Sequence, residues 1–239
     1  MLYPSPLGYN VLPDMPDFKA VVFDLDNTLV DFSRMKQAAV EAAAEAMVDA
    51  GLDAPREELI QGIYEVYQER GIEAQDVFNR FLESRLGKVD YKILAAAVVA
   101  YRRAKTGNMR LFPGVRWTLL ELMRAGVDIA ILTDAPGLQA WTRLVEMNLH
   151  QYFDLVITLD DTGETKPSRK AFETVLQRLG LPAEQTLMVG DWAERDMVGA
   201  QNVGMKTAFA RYGALEKTVP PGVDYVLEKP TELVAVVKP

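Results

Sequence analysis

Two carboxylates stand two residues apart where an apolar run ends, in Val21-Val22-Phe23-Asp24-Leu25-Asp26. A run without polar interruption suits a strand buried on both faces of a parallel sheet. Ligands of such sheets bind beyond the carboxyl ends of the strands, so Asp24 falls where such folds do chemistry. Three more polar sets follow apolar runs or precede a helix. They are Thr133 and Asp134 after Ile129-Ala130-Ile131-Leu132, Lys166 ahead of Pro167-Ser168, and Asp191 after Leu187-Met188-Val189-Gly190, with Asp196 shortly beyond. Asp and Asn also form turns by bonding their own backbone, so each position alone reads as a turn or a cap. Together, on strand ends that face one way, they read as a site. The chain has no cysteine and a single histidine, His150, which follows a helical stretch and reads as structural. Disulfides, thiolate catalysis and cysteine or histidine metal clusters are therefore excluded. Catalysis and metal binding fall to carboxylates, lysine and hydroxyls, and carboxylates select hard cations such as Mg²⁺. Asp24, Asp26 and Asp191 gathered at one edge would repel unless a cation intervened. Mg²⁺ with Lys166 nearby is expected to resolve that conflict.

Such strand ends need alternating strands and helices to carry them. Straight after the first strand, however, come four helical stretches with no strand between them: Arg34–Ala50, Arg56–Arg70, Ala74–Leu86 and Asp90–Lys105, punctuated by Gly51, Gly71 and Gly87. The stripes Ile60, Ile63, Tyr64, Tyr67 and Val77, Phe78, Phe81, Leu82 have helical spacing and read as the core of this unit. From Leu111 the alternation resumes. A helix from Pro113-Gly114 to Ala125 leads to a strand at Val127–Leu132, then a helix at Gly137–Asn148 and a strand at Leu155–Leu159. A helix to Leu179, a strand at Thr186–Val189, a helix at Glu194–Val203 and a strand at Lys206–Ala210 follow, with an edge strand at Tyr225–Leu227 and a helix from Thr231. The fold class is α/β, a doubly wound parallel sheet with an inserted all-α domain. The core is expected over residues 1–31 and 110–239, and the helical domain over residues 32–109.

Composition narrows the partners. Of 239 residues, 49% are hydrophobic and 25% charged, with a formal net charge of -8. An acidic chain is poorly suited to phosphate backbones or anionic membranes, so neither nucleic acid nor a membrane is expected as a partner. No apolar stretch reaches the length of about 18 residues that a spanning helix needs. The first residues carry no basic segment followed by an apolar run, and Pro4, Pro6 and Pro13 suggest an extended lead-in. A cytoplasmic location is the expectation.

The stretches Asp-Leu-Asp-Asn-Thr-Leu (24–29), Leu-Thr-Asp (132–134), Lys-Pro (166–167) and Gly-Asp-Trp-Ala-Glu-Arg-Asp (190–196) resemble, in order, the four motifs of the haloacid dehalogenase-like (HAD) hydrolase superfamily. The resemblance covers residues 18 to 228, and the helical insertion is similar to that family's C1 cap. It implies a Rossmann-like core and Mg²⁺-dependent removal of phosphate from a small phosphorylated metabolite through an aspartyl-phosphate. It implies roles as well. Asp24 would be the nucleophile, and Asp26 the acid that protonates the leaving oxygen and then the base for the attacking water. Thr133 would donate a hydrogen bond to a phosphoryl oxygen and Lys166 would neutralise its charge, with Asp134 beside them in the substrate site. Mg²⁺ would be held by the Asp24 carboxylate, the Asp26 backbone carbonyl and Asp191, with Asp196 orienting a metal-bound water or Lys166. Asp134 stands where Asn is frequent in the family, and Arg195 where Asn often precedes the last Asp.

Other family members use the same frame differently. A 2-haloacid dehalogenase attacks carbon without a metal and generally lacks the second Asp, which this chain has. A phosphomutase of the β-phosphoglucomutase type keeps both. A phosphonoacetaldehyde hydrolase needs a Schiff-base lysine in the cap, and none stands out. Outside the family, a response-regulator receiver accepts phosphate on Asp but has no helical cap, and a non-catalytic binding module has no use for the full set. Trp192 reads as packing. The cap residues Arg34, Arg80, Arg102 and Arg103 read as solvated helix faces, although any of them could reach a second acidic group on a substrate.

Overall fold

The computed structural model describes residues 18–237, and the lead-in expected around Pro4, Pro6 and Pro13 lies outside them. Six parallel strands form one sheet in the order β3-β2-β1-β4-β5-β6. They are β1 (Ala20–Phe23), β2 (Asp128–Leu132), β3 (Leu155–Ile157), β4 (Thr186–Gly190), β5 (Lys206–Ala210) and β6 (Tyr225–Leu227). The order reverses between β1 and β4, and a crevice opens at the carboxyl ends of strands where that happens in doubly wound sheets. Asp24 and Asp191 are the residues that follow those two strands.

Side chains alternate across each strand, and both faces are covered. Val21, Phe23, Ile129, Ile131, Leu187 and Val189 pack with Leu119, Leu122 and Leu144 on one side, whereas Val22, Ala130, Leu132 and Met188 pack with Phe172, Val175 and Ala200 on the other. That double burial is why the strands read as unbroken apolar runs. The first layer comes from α5 (Val115–Arg124), α6 (Gly137–Glu146) and α10 (Leu233–Val237); the second comes from α8 (Arg169–Leu179) and α9 (Val198–Asn202).

Between β1 and α5 run α1 (Phe32–Asp49), α2 (Arg56–Arg70), α3 (Val77–Leu86) and α4 (Tyr91–Asn108). They pack around an apolar cluster of their own, in which Ile63, Tyr67, Val77, Phe78, Phe81 and Leu82 meet Val40, Met47 and Ile93. Both expected stripes contribute to it. Asp90 caps α4 by accepting from the Lys92 and Ile93 N–H groups, the usual work of an N-cap carboxylate.

Several boundaries differ from the sequence reading. The strand expected to reach Leu159 stops at Ile157, because Thr158 and Asp161 form a reciprocal capping box that starts the short helix α7 (Leu159–Thr162). Helix α3 starts at Val77 rather than Ala74. The helix expected over Glu194–Val203 is a π-helical turn, Ala193–Met197, followed by α9. The last helix opens as a 3₁₀ turn at Pro230–Glu232. None of the described helices is long and apolar enough to cross a membrane.

Candidate active site

Phe23 pairs with Ile131 on one side and Val189 on the other, so the chain leaves β1, β2 and β4 at one level. The Asp24 N–H still donates to Val189 O at 2.9 Å, which fixes the residue at the sheet edge. The loop beyond turns back through Asn27 at φ 58°, a left-handed conformation that Asn tolerates. Its side chain accepts the Ser33 N–H at 2.9 Å, tying the loop to the start of α1.

Lys166 organises the site. Its ammonium donates to Asp24 Oδ1 at 2.6 Å, to Asp196 Oδ1 at 2.6 Å and to Leu132 O at 3.1 Å. Its own N–H donates to Asp134 Oδ1 at 2.8 Å, and Asp134 Oδ2 accepts from Arg195 at 3.0 Å. Asp134 is thus occupied in bracing the lysine loop. Asp196, 1% exposed, also accepts the Trp192 N–H at 3.0 Å. It lies against Gly190, where a Cβ atom would overlap its carboxyl group, so this close approach requires glycine. Asp191 accepts from Thr28 at 3.3 Å, and Tyr212 donates to the Thr28 carbonyl at 2.9 Å. Thr133 is buried and its hydroxyl oxygen accepts the Ala135 N–H at 3.2 Å, which leaves its hydrogen free to donate.

Carboxylate oxygens of Asp24, Asp191 and Asp196 all lie within 4.8 Å of one another. Burial pushes the Asp24 carboxyl well above its ordinary range; Lys166 opposes this, while Asp196 and Asp191 add to it. Burial, reinforced by Asp196, likewise raises Asp191 to about 7. Lys166 goes the other way: burial opposes its charge, but Asp196 and Asp24 outweigh burial and hold it protonated. Were all three carboxyl groups ionised they would outnumber the one ammonium by two negative charges, and a hard divalent cation would match that excess and draw Asp24 and Asp191 into their charged forms. Both Asp196 oxygens already accept hydrogen bonds, whereas no bond to Asp24 Oδ2 or Asp191 Oδ2 is present among the described residues. Asp24 and Asp191 are the carboxylates with ligand atoms to offer.

The Asp26 carboxylate stands outside that cluster. Its Oδ1 sits 3.3 Å from Arg143 Nε, and Arg143 Nη2 donates to Glu73 of the cap. Burial raises Asp26 to about 6 against the pull of Arg143. Arg143 is 2% exposed and rests on the Phe32 ring, 4.6 Å from its centroid. Trp192, expected to pack, is instead 49% exposed, with the Arg195 guanidinium 4.0 Å over its ring.

Lys36, Glu73 and Arg143 are site or near-site residues that the motifs do not pick out, and Thr28 lies within the first motif although its bond to Asp191 is not apparent from it. Two had a signal. Lys36 falls on the buried stripe of α1 with Phe32, Met35, Ala39, Val40 and Ala43, and Arg143 on that of α6 with Ala140 and Leu144. A cation on an apolar face is a buried charge in need of a reason.

A family model described as haloacid dehalogenase-like hydrolase matches residues 18–204. The chain is 32% identical over 221 residues to a glyceraldehyde 3-phosphate phosphatase of Methanocaldococcus jannaschii, covering 92% of this chain and 97% of that one. It is 36% identical over 197 residues to a ribulose-1,5-bisphosphate 5-phosphatase of Halopiger xanaduensis, covering 79% and 82%. Among solved structures, a HAD phosphatase from Thermococcus onnurineus matches with a TM-score of 0.68 at 26% identity, over 92% of this chain and 97% of that one. With its motifs in order on the carboxyl edge of a doubly wound sheet, the chain belongs to the haloacid dehalogenase-like hydrolases.

Proposed function

We propose that the protein is a cytoplasmic, Mg²⁺-dependent phosphatase of small phosphorylated metabolites, acting through an aspartyl-phosphate on Asp24. The observation that carries this reading is the buried set of Asp24, Asp191 and Asp196 around the Lys166 ammonium. It is supported by relatives named for the hydrolysis of glyceraldehyde 3-phosphate and ribulose 1,5-bisphosphate.

Asp24 and Asp191 would hold the ion with their carboxylates, and the Asp26 backbone carbonyl would complete the protein's share. The bound ion would supply charge neutralisation for the phosphoryl oxygens. Lys166 adds a second positive charge and favours the ionised form of Asp24, which is the form that attacks phosphorus. Thr133 donates its free hydroxyl hydrogen to a phosphoryl oxygen. Asp26 protonates the leaving oxygen, and in the second half it takes a proton from the water that releases phosphate. Phosphoryl transfer gains mainly from such positioning and charge neutralisation. Asp196 and Asp134 touch no reacting atom and keep Lys166 in place.

The test is phosphate release from p-nitrophenyl phosphate with Mg²⁺, with EDTA, and with Asp24→Asn. Turnover should vanish in both controls. Turnover that survives either of them would overturn the mechanism.

A further inference from the structure

A cavity of about 220 Å³ lies between cap and core, and Arg143 forms part of its wall. Arg143 links it to Asp26, whose Oδ1 lies 3.3 Å from the Arg143 Nε. That volume holds roughly seven water-sized groups at about 30 Å³ each, room for the carbon part of a small phosphomonoester. Its charges are one-sided. Lys36, Arg102, Lys105 and Arg143 face a single acid, Glu73, which is already engaged by Arg143.

Lys36 is the unusual member. It is 6% exposed, yet its ammonium bonds only neutral acceptors: Ile72 O at 2.8 Å and the Tyr101 hydroxyl at 3.0 Å. The Tyr67 ring lies 3.8 Å away. An ammonium has three hydrogens to donate, so one remains. Arg143 Nη1 is likewise buried without a hydrogen-bond partner. Burial pushes Lys36 down to about 8, which still leaves it a cation at neutral pH. A buried cation with no carboxylate partner costs stability, and an anion arriving in the cavity would repay it.

We propose that this cavity receives the leaving part of the substrate, and that Lys36 and Arg143 Nη1 there bind a second anionic group, a carboxylate or a second phosphate. Lys105 and the more exposed Arg102 extend the same positive wall toward solvent. The inference rests on the phosphatase reading and deepens it by naming the substrate class. Of the two chemistries in the relatives' names, the charge of the wall matches the bisphosphate rather than the uncharged aldehyde.

The experiment compares kcat/KM for four phosphomonoesters. 3-Phosphoglycerate and ribulose 1,5-bisphosphate carry a second anion, as carboxylate and phosphate respectively; glycerol 3-phosphate and glyceraldehyde 3-phosphate carry none. The wild type should favour at least one of the first pair by about tenfold, the worth of one hydrogen bond to a charged group. Lys36→Met should bring the ratio close to one, mainly through KM, and Lys36→Arg should keep part of it. Should Lys36→Met fail to fold, the Arg102→Gln/Lys105→Gln double variant should still lower the ratio. Equal or better turnover of the uncharged pair, or a preference that survives these substitutions, would overturn the proposal. No turnover of any ester, p-nitrophenyl phosphate included, would instead overturn the phosphatase reading beneath it.

Discussion

At the scale of single residues, the site is a balance of charges around one ammonium. All three Lys166 hydrogens are engaged, two of them by carboxylates. Removing one partner of a buried pair leaves a stranded charge, which typically costs about 3–5 kcal/mol. Lys166→Met should therefore lower stability by that order in denaturant titrations, as well as abolishing phosphate release. A loss of activity with unchanged stability would show that the lysine is not the keystone of the cluster. Gly190 is constrained for a different reason. Its missing side chain is the space that the Asp196 carboxyl occupies, and overpacking a tight site costs about 1–3 kcal/mol. Gly190→Ala should lower the thermal midpoint and the activity together. An alanine variant with wild-type activity would mean that Asp196 can move without disturbing Lys166.

At the scale of elements, α1 does two jobs. It is the first helix of the cap, yet it starts beside the Asp24–Asp26 loop, to which the Asn27 side chain ties it. On its buried stripe, Lys36 makes stability depend on pH. Burial depresses its pKa from 10.5 to about 8, so between those values the unfolded chain binds the proton that the folded chain has released. Stability should rise with pH through that window, by up to roughly 3 kcal/mol at about 1.4 kcal/mol per unit. Above about pH 10 the buried Tyr67 and Tyr101, both raised by desolvation, pull the other way. The clean range is therefore pH 8 to 10. Lys36→Met should flatten the curve and be the more stable protein at pH 7; a variant that keeps the slope would place its origin elsewhere. Elements were legible in the sequence where apolar period and punctuation agreed, as in α2, where the expected range Arg56–Arg70 is the observed one. They were less so where side chains redirect the backbone. The Thr158–Asp161 capping box ended β3 early, and the turn that presents Asp196 to Lys166 is π-helical, which helical spacing does not reveal.

At the scale of the whole molecule, the function is a property of topology. Residues 24, 133, 166 and 191 meet because β1, β2 and β4 end together at the point where the strand order reverses. Their motifs fall on strand ends and loops, which is why that much of the site was readable from one chain. Glu73 was not, since its pairing with Arg143 arises where cap and core meet and no local pattern encodes that meeting. The gathering of three carboxyl groups around one ammonium also has a global consequence. A ligand bound only by the folded state stabilises it by about 2.7 kcal/mol at one hundred times its dissociation constant. Mg²⁺ should therefore raise the thermal midpoint, and Asp191→Asn should blunt that response; equal shifts in both proteins would mean that the ion binds elsewhere. The most direct test of the whole account is acid quenching of the enzyme during turnover of a radiolabelled phosphomonoester, followed by peptide mapping. A protein-bound acyl phosphate should form on Asp24, and Asp24→Asn and EDTA should both abolish it. Phosphate released with no label on the protein, or label on another residue, would contradict the account.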